Sequence, residues 1–128
     1  RFGRAWTAWE TPLASISNEG PGGESPADYA RAFARLESHY FTNGGFLEAD
    51  GQILDQAGRI DGIPGTIVQG RYDMICPPAS AWALSERWSR SELKLVGMAG
   101  HALSEPGISA ELVRATKTVA RQADRLGL

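Results

Sequence analysis

The sequence of 128 residues contains one cysteine, so it cannot form an internal disulfide, and we predict a cytoplasmic location. No run of Lys or Arg exceeds two residues and the net charge is −2, which excludes the basic surface of a nucleic acid-binding protein. No apolar stretch approaches the ~20 residues of a membrane span, and residues 1–10 do not resemble a signal peptide. We therefore predict neither a nucleic acid partner nor a membrane association.

Clusters of metal-ligating side chains are also missing. The two histidines, His39 and His101, have no metal-ligand spacing, and no Cys/His cluster occurs, so we predict no metal site and no cofactor. The sequence places no histidine to activate Cys76. We interpret Cys76 as a small buried side chain rather than a nucleophile.

The first part of the chain has helical periodicity. Phe2, Trp6 and Trp9 form an aromatic stripe on a predicted short helix, in which we expect both tryptophans to be core residues. This helix is predicted to end at Pro12, because the residue before a proline is disfavoured in helical conformation. Residues 13–24 are rich in turn-forming residues and are predicted to be a loop.

A second helix is predicted to begin at Ser25–Asp28, where serine can cap, proline suits the first turn and aspartate favours the positive end of the helix dipole. It should end before Gly44-Gly45, and a further short helix is predicted over residues 52–59. The apolar face of the second helix comprises Tyr29, Phe33, Leu36 and Tyr40.

The remainder of the chain alternates strands and helices. Residues 66–70 and 92–96 are predicted strands, and a helix opens between them at Pro77-Pro78. After a loop over residues 97–107, the chain closes with a helix of about five turns. The apolar stripe of that closing helix comprises Ile108, Leu112, Ala115, Val119, Ala123 and Leu126.

The predicted fold class is therefore α/β, with parallel strands and flanking helices in the second half of the chain. Two strands alone make a poor parallel sheet, because such a sheet needs both faces and both edges covered. We expect an unpaired strand edge and an open apolar flank beside Ile67 and Val68, unless another chain covers them.

Two polar residues follow the two predicted strands directly. Asp73 lies just past the first strand and His101 just past the second, 28 residues later. Neighbouring parallel strands end at the same edge of a sheet, where α/β proteins place catalytic groups. The chain order Asp then His is that of the last two members of a Ser-Asp-His triad, in which Asp73 would orient His101 and His101 would act as the general base.

Longer segments around these residues carry a family resemblance. Residues 63–77 read IPGTIVQGRYDMICP and residues 99–108 read AGHALSEPGI, and both resemble proline iminopeptidases, which are α/β-hydrolases with a helical cap. Residues 6–10 (WTAWE) and 34–41 (ARLESHYF) resemble cap segments of that family. The resemblance implies that residues 1–58 are the C-terminal part of the cap domain, and residues 59–128 that of the catalytic domain.

The same resemblance implies a serine aminopeptidase that releases an N-terminal proline from peptides. Its cap glutamates bind the free amine of the substrate, and the matching positions here are Glu10 and Glu37. At about 100° per residue, each lies roughly 70° from the centre of the aromatic stripe on its helix. Each carboxylate would then stand at the margin of an aromatic face.

Two parts of a serine hydrolase do not occur in the sequence. It contains no Gly-x-Ser-x-Gly nucleophile elbow and no His-Gly-Gly oxyanion loop, and we expect both to lie upstream of Arg1. The missing N-terminal part of the same protein is therefore a predicted partner. This chain alone should be inactive and incompletely folded.

Two alternatives remain open at this level. Another α/β-hydrolase, such as an epoxide hydrolase or an esterase, would share the Asp and His positions but not the paired cap glutamates. A hydrolase-like binding module without catalytic activity would lack the upstream serine.

Overall fold

A computed structural model describes residues 1–16 and 25–126. Short 3₁₀ turns at Gly44–Phe46 and Ala57–Ile60 flank the third of its helices. In chain order, the helices and strands are α1 (Phe2–Ala14), α2 (Ala27–Thr42), α3 (Gln52–Asp55), β1 (Gly65–Gly70), α4 (Pro78–Arg87), β2 (Ser91–Val96) and α5 (Pro106–Leu126).

Strands β1 and β2 are parallel, as predicted, and pair in register from Gly65 opposite Ser91 to Gly70 opposite Val96. Helix α4 connects them, and both α4 and α5 pack against the two strands. Within the described residues each strand pairs only with the other. The arrangement is a parallel sheet with flanking helices, which confirms the predicted α/β fold class.

Helices α1 and α2 pack against each other through small residues. Ala30 is fully buried, and a Cβ added at Gly3 would lie 2.8 Å from the Ala30 carbonyl oxygen. The two backbones approach closely because neither residue places a large side chain between them. This packing holds Glu10 on α1 and Glu37 on α2 at a fixed separation. The boundary between two domains at residue 58 remains a prediction.

Helix α1 is longer than predicted. It continues through Pro12 to Ala14, although the proline removes one helical hydrogen bond and crowds the preceding turn. The last turn is held from outside, because the Ala14 carbonyl accepts hydrogen bonds from the backbone N–H groups of His101 and Ala102. Of the predicted loop, residues 13 and 14 are therefore helical, and residues 17–24 lie outside the described residues.

The start of α2 also differs from the prediction. Pro26 occupies the N-cap position, and no side chain caps this end, so the predicted role of Ser25 is wrong. The predicted break at Gly44-Gly45 is confirmed, since both glycines have positive φ angles. The short helix predicted over residues 52–59 is α3 followed by a 3₁₀ turn.

The predicted core position of Trp9 is wrong, and the apolar stripe of the closing helix is partly exposed. Trp9 is 61% exposed, and so is Val119 in the closing helix. Helix α5 has 21 residues and is about 31 Å long, whereas six-residue strands span about 20 Å. Helix α5 is therefore about 11 Å longer than the strands and cannot pack against the sheet along its whole length. Ile108 in its first turn is buried.

Candidate active site

Asp73 lies in the turn that follows β1 and is 7% exposed. Its Oδ1 accepts hydrogen bonds from the backbone N–H groups of Ile75 (2.9 Å) and Cys76 (2.8 Å), which shapes the turn leading into α4. Its Oδ2 is 3.0 Å from Nδ1 of His101 and accepts a 3.2 Å hydrogen bond from the Gln69 side chain. Oδ1 thus stabilises the turn, and Oδ2 contacts the histidine.

The environment of Asp73 keeps its carboxyl ionised. Burial by itself would raise its pKa, but the hydrogen bonds from Cys76, His101 and Ile75 outweigh burial and lower the pKa below its ordinary value. An ionised carboxylate can only accept a hydrogen bond, so Nδ1 of His101 carries the proton in this contact. The Asp73 carboxylate thus engages Nδ1 and leaves Nε2 of His101 outside this contact.

His101 lies in the loop after β2, and its side chain is 43% exposed. Because β1 and β2 are parallel and in register, their C-terminal ends bring the Asp73 turn and the His101 loop side by side. Two backbone hydrogen bonds join them: Arg71 N–H donates to Val96 O and Tyr72 N–H donates to Ala99 O, both at 2.9 Å. The contact between Asp73 and His101 therefore rests on a backbone framework.

Gly70 packs closely against the backbone of the His101 loop, and Gly70→Ala is expected to disrupt this packing. A Cβ there would lie 1.9 Å from the Gly100 carbonyl oxygen and 2.7 Å from that of Ala99, both of them backbone atoms. The His101 loop would have to move, and we expect the free energy of unfolding of the full-length protein to fall by about 1–3 kcal/mol. Urea denaturation measures this change. Gly97→Ala is the matched control, since nothing lies within 4 Å of its added Cβ, and equal stability of the two variants would contradict the prediction.

Glu10 and Glu37 approach each other across the α1–α2 interface. The Trp6 indole N–H donates to Glu37 Oε2 at 2.5 Å. Burial, a hydrogen bond with Glu37 and the charge of Glu37 raise the pKa of Glu10, while Trp6 and the charge of His101 oppose that shift. Glu10 and Glu37 are therefore neighbours, and Glu10 lies within electrostatic range of His101.

Aromatic rings flank this carboxylate pair. The ring centroid of Trp6 is 5.8 Å from that of Trp9 and 6.4 Å from that of Phe41, with tilted planes. Trp6 is half-buried, so its predicted position in the core is wrong, and its indole N–H donates a hydrogen bond to Glu37. The pair and the rings together form a site suited to a cation attached to an apolar group.

Comparison with known proteins supports the resemblance found in the sequence, although no family model matches the chain. The chain is 48% identical to a proline iminopeptidase of Arabidopsis thaliana over 116 residues, which cover 89% of this chain and 30% of that protein. Identity is 45% to the Xanthomonas citri proline iminopeptidase and 43% to that of Neisseria gonorrhoeae, over 88% and 91% of this chain. The chain is homologous to the C-terminal part of proline iminopeptidases. It spans about a third of the length of these relatives, 30–37%.

Two residues beside the Asp73–His101 contact have no role predicted from the sequence. Glu105 belongs to the segment of residues 99–108, and its carboxylate is buried beneath the His101 loop. Gln69 supports Asp73 from the end of β1. For Glu105 the only available indication was a charged residue among the small residues before a helix, and for Gln69 there was none.

Cys76 is exposed, so its predicted burial is wrong. It lies in the turn after Asp73, where its backbone N–H, and not its thiol, donates a hydrogen bond to Asp73 Oδ1. Partial desolvation and the charges of Asp73 and Glu10 raise the pKa of the thiol, which keeps it protonated.

In the described ranges, no three His, Cys, Asp or Glu side chains are arranged to hold a metal ion. No helix of residues 1–16 or 25–126 combines the length and apolarity needed to cross a bilayer.

Proposed function

We propose that this chain is the C-terminal part of a serine aminopeptidase that releases N-terminal proline from peptides. The observation that carries the proposal is the 3.0 Å contact between Asp73 Oδ2 and His101 Nδ1, at the ends of adjacent parallel strands. The names of the relatives, proline iminopeptidases, agree with it. The nucleophilic serine and the oxyanion donors belong to the upstream part of the full-length protein.

In this proposal His101 is the general base and acid. Its Nε2 takes the proton of the serine hydroxyl as the serine oxygen bonds to the carbonyl carbon of the N-terminal residue. The C–N bond then breaks, and the imidazolium returns the proton to the departing amine of the shortened peptide. Water attacks the acyl-enzyme by the same route, with His101 taking its proton, and free proline leaves. Asp73 stays ionised and stabilises the imidazolium.

Glu10 and Glu37 recognise the free amine in this proposal. Peptides with N-terminal proline carry a secondary ammonium group attached to a small apolar ring, and the site offers two carboxylates beside aromatic rings. The charge of His101 opposes the rise in the pKa of Glu10, which supports an amine site near the base, as removal of a single N-terminal residue requires. The peptide and the upstream part of the same protein are the proposed partners, and the proposed location is the cytoplasm.

The full-length protein tests this function directly. We expect it to cleave a proline arylamide and to be much slower on the N-acetylated form, because acetylation removes the positive charge. Residues 1–128 alone should show no turnover, since an aspartate and a histidine without a serine cannot form an acyl-enzyme. Equal cleavage of both substrates by the full-length protein, or turnover by residues 1–128, would contradict the proposal.

A further inference from the structure

We propose that Glu105 is a positioning residue that fastens the His101 loop to the C-terminal end of α1. The proposal rests on the proposed function, in which His101 is the base and α1 carries a glutamate that binds the amine. It adds a role for a carboxylate that touches neither the substrate nor the reacting atoms.

Glu105 is 3% exposed, and its contacts lie far away along the chain. Its Oε1 accepts a 2.7 Å hydrogen bond from the backbone N–H of Ile16, 89 residues earlier. The Ser15 side chain and the backbone N–H of Gly100 also hydrogen-bond to its carboxylate. One buried group therefore holds both the residues that end α1 and the residue that precedes His101.

A second set of contacts closes the same junction. The Ala14 carbonyl accepts hydrogen bonds from the backbone N–H groups of His101 (2.8 Å) and Ala102 (2.7 Å). A Cβ at Gly100 would lie 2.9 Å from the Ala14 carbonyl oxygen and 3.4 Å from Glu105 Oε1, so the backbones are in close contact. The junction thus consists of donors and acceptors from both segments.

A purely local role would give a different geometry. Glu105 directly precedes α5, where a polar side chain usually caps its own helix. Its side chain instead reaches back to Ile16. Burial alone would raise the pKa of this carboxyl, yet the hydrogen bonds from Ser15, Ile16 and Gly100 lower it, so the carboxylate is ionised in the junction.

The junction links the two halves of the candidate site. Helix α1 carries Trp6 and Glu10, and the loop carries His101. A rigid link between them sets the distance from the amine-binding carboxylates to the base. Misplacement of a catalytic group by about 1 Å can lower the rate a hundredfold, so the link has a direct effect on turnover.

Glu105→Gln in the full-length protein tests the proposal, with Glu111→Gln as the matched control. Glu111 lies on α5, the helix that Glu105 precedes, and pairs only with Arg114 among the described residues. We expect Glu105→Gln to lower kcat for a proline arylamide by about 10–100-fold per folded molecule, with KM changed by less than about threefold. The folded fraction comes from circular dichroism, and the control should match the parent protein.

Ile16→Pro is an independent second variant. It removes the backbone N–H that donates a hydrogen bond to Glu105, and it leaves the Glu105 carboxylate unchanged. The preceding residue, Ser15, already has the extended conformation that a following proline requires (φ −139°, ψ 140°). We expect this variant to reproduce the loss of kcat, and the double variant to lose little more than either single one.

A readout without activity separates this proposal from the proposed function. The imidazole N–H resonance of the hydrogen bond between His101 and Asp73 should shift or broaden in Glu105→Gln, and remain unchanged in Glu111→Gln. An unchanged resonance, or a loss of kcat accounted for entirely by unfolded protein, would overturn the positioning role. If the parent protein does not cleave proline substrates, the proposed function fails and the resonance still decides the role of Glu105.

Discussion

His101→Ala in the full-length protein is expected to lower kcat for a proline arylamide by at least about a thousandfold. Without the imidazole, nothing takes the serine proton at neutral pH or returns it to the leaving amine. His39→Ala is the matched control, because His39 is exposed and contacts only Tyr40 and Phe46 among the described aromatic rings.

Asp73→Asn should cause a loss of similar size. The amide oxygen can still accept the N–H groups of Ile75 and Cys76, but the amide nitrogen then faces His101 and favours the wrong tautomer. Asp61→Asn is the control, since Asp61 also accepts a backbone N–H, that of Ser89 at 2.6 Å, and has no contact with His101.

Stability must be measured alongside turnover for the Asp73 variant. The pKa of Asp73 is lowered in the folded state, so its contribution to stability is present above the unfolded pKa and is lost as the pH falls through the folded pKa. Asp73→Asn should therefore be less stable than the parent protein at neutral pH and approach it in acid. Near-normal turnover by folded His101→Ala or Asp73→Asn would remove the triad assignment.

Glu37→Gln is expected to lower kcat/KM for a proline arylamide by about one to three orders of magnitude, at ~1.4 kcal/mol per decade. The amide still accepts the Trp6 indole N–H but no longer offers a charge to the ammonium group. Hydrolysis of a simple ester without an amine should be almost unchanged. Glu86→Gln on the exposed side of α4 is the control.

The same pair predicts a pH dependence. The pKa of Glu10 is raised by burial, by its hydrogen bond with Glu37 and by the charge of Glu37, so its negative charge is lost at a higher pH than that of a free carboxyl. The KM of amine substrates should therefore increase as the pH falls through that raised pKa, whereas the KM of the ester should not. If Glu37→Gln impaired both substrate classes equally, the amine-binding role would be wrong.

The raised pKa of Glu10 also has a consequence for stability. A carboxyl with a raised pKa binds more protons in the folded than in the unfolded state, so its contribution to stability falls as the pH rises. The Glu10–Glu37 pair thus opposes folding in the absence of substrate at neutral pH. Binding of an ammonium group would offset this repulsion, as expected of a site shaped for function rather than for stability.

Much of the second half of the chain is readable from the sequence. Two short runs typical of strands, separated by a helix, predict parallel strands, and an aspartate and a histidine after two such strands must share one sheet edge. The family resemblance rests on motifs that are continuous in the chain, and the comparison supports it over 116 residues. These features are local, so each can be recognised without knowing what it packs against.

The burial of side chains is harder to predict from the sequence, because exposure depends on what covers a side chain in the fold. The aromatic stripe containing Trp9 has the period of a buried helix face, yet Trp9 lies open. Helix α5 is also longer than the strands, and Val119 in its stripe is exposed. Periodicity identifies the face of a helix but not the extent of its partner.

The sequence by itself determined the order of helices and strands, the positions of Asp73 and His101, and the family resemblance. Only the tertiary structure decided that α1 continues through Pro12 and that Glu105 bonds to Ile16. The physical reason is that these outcomes depend on hydrogen bonds between segments almost 90 residues apart. A helix end or a buried carboxylate is stabilised by hydrogen-bond donors and acceptors that folding brings next to it. The local sequence does not specify which distant groups these will be.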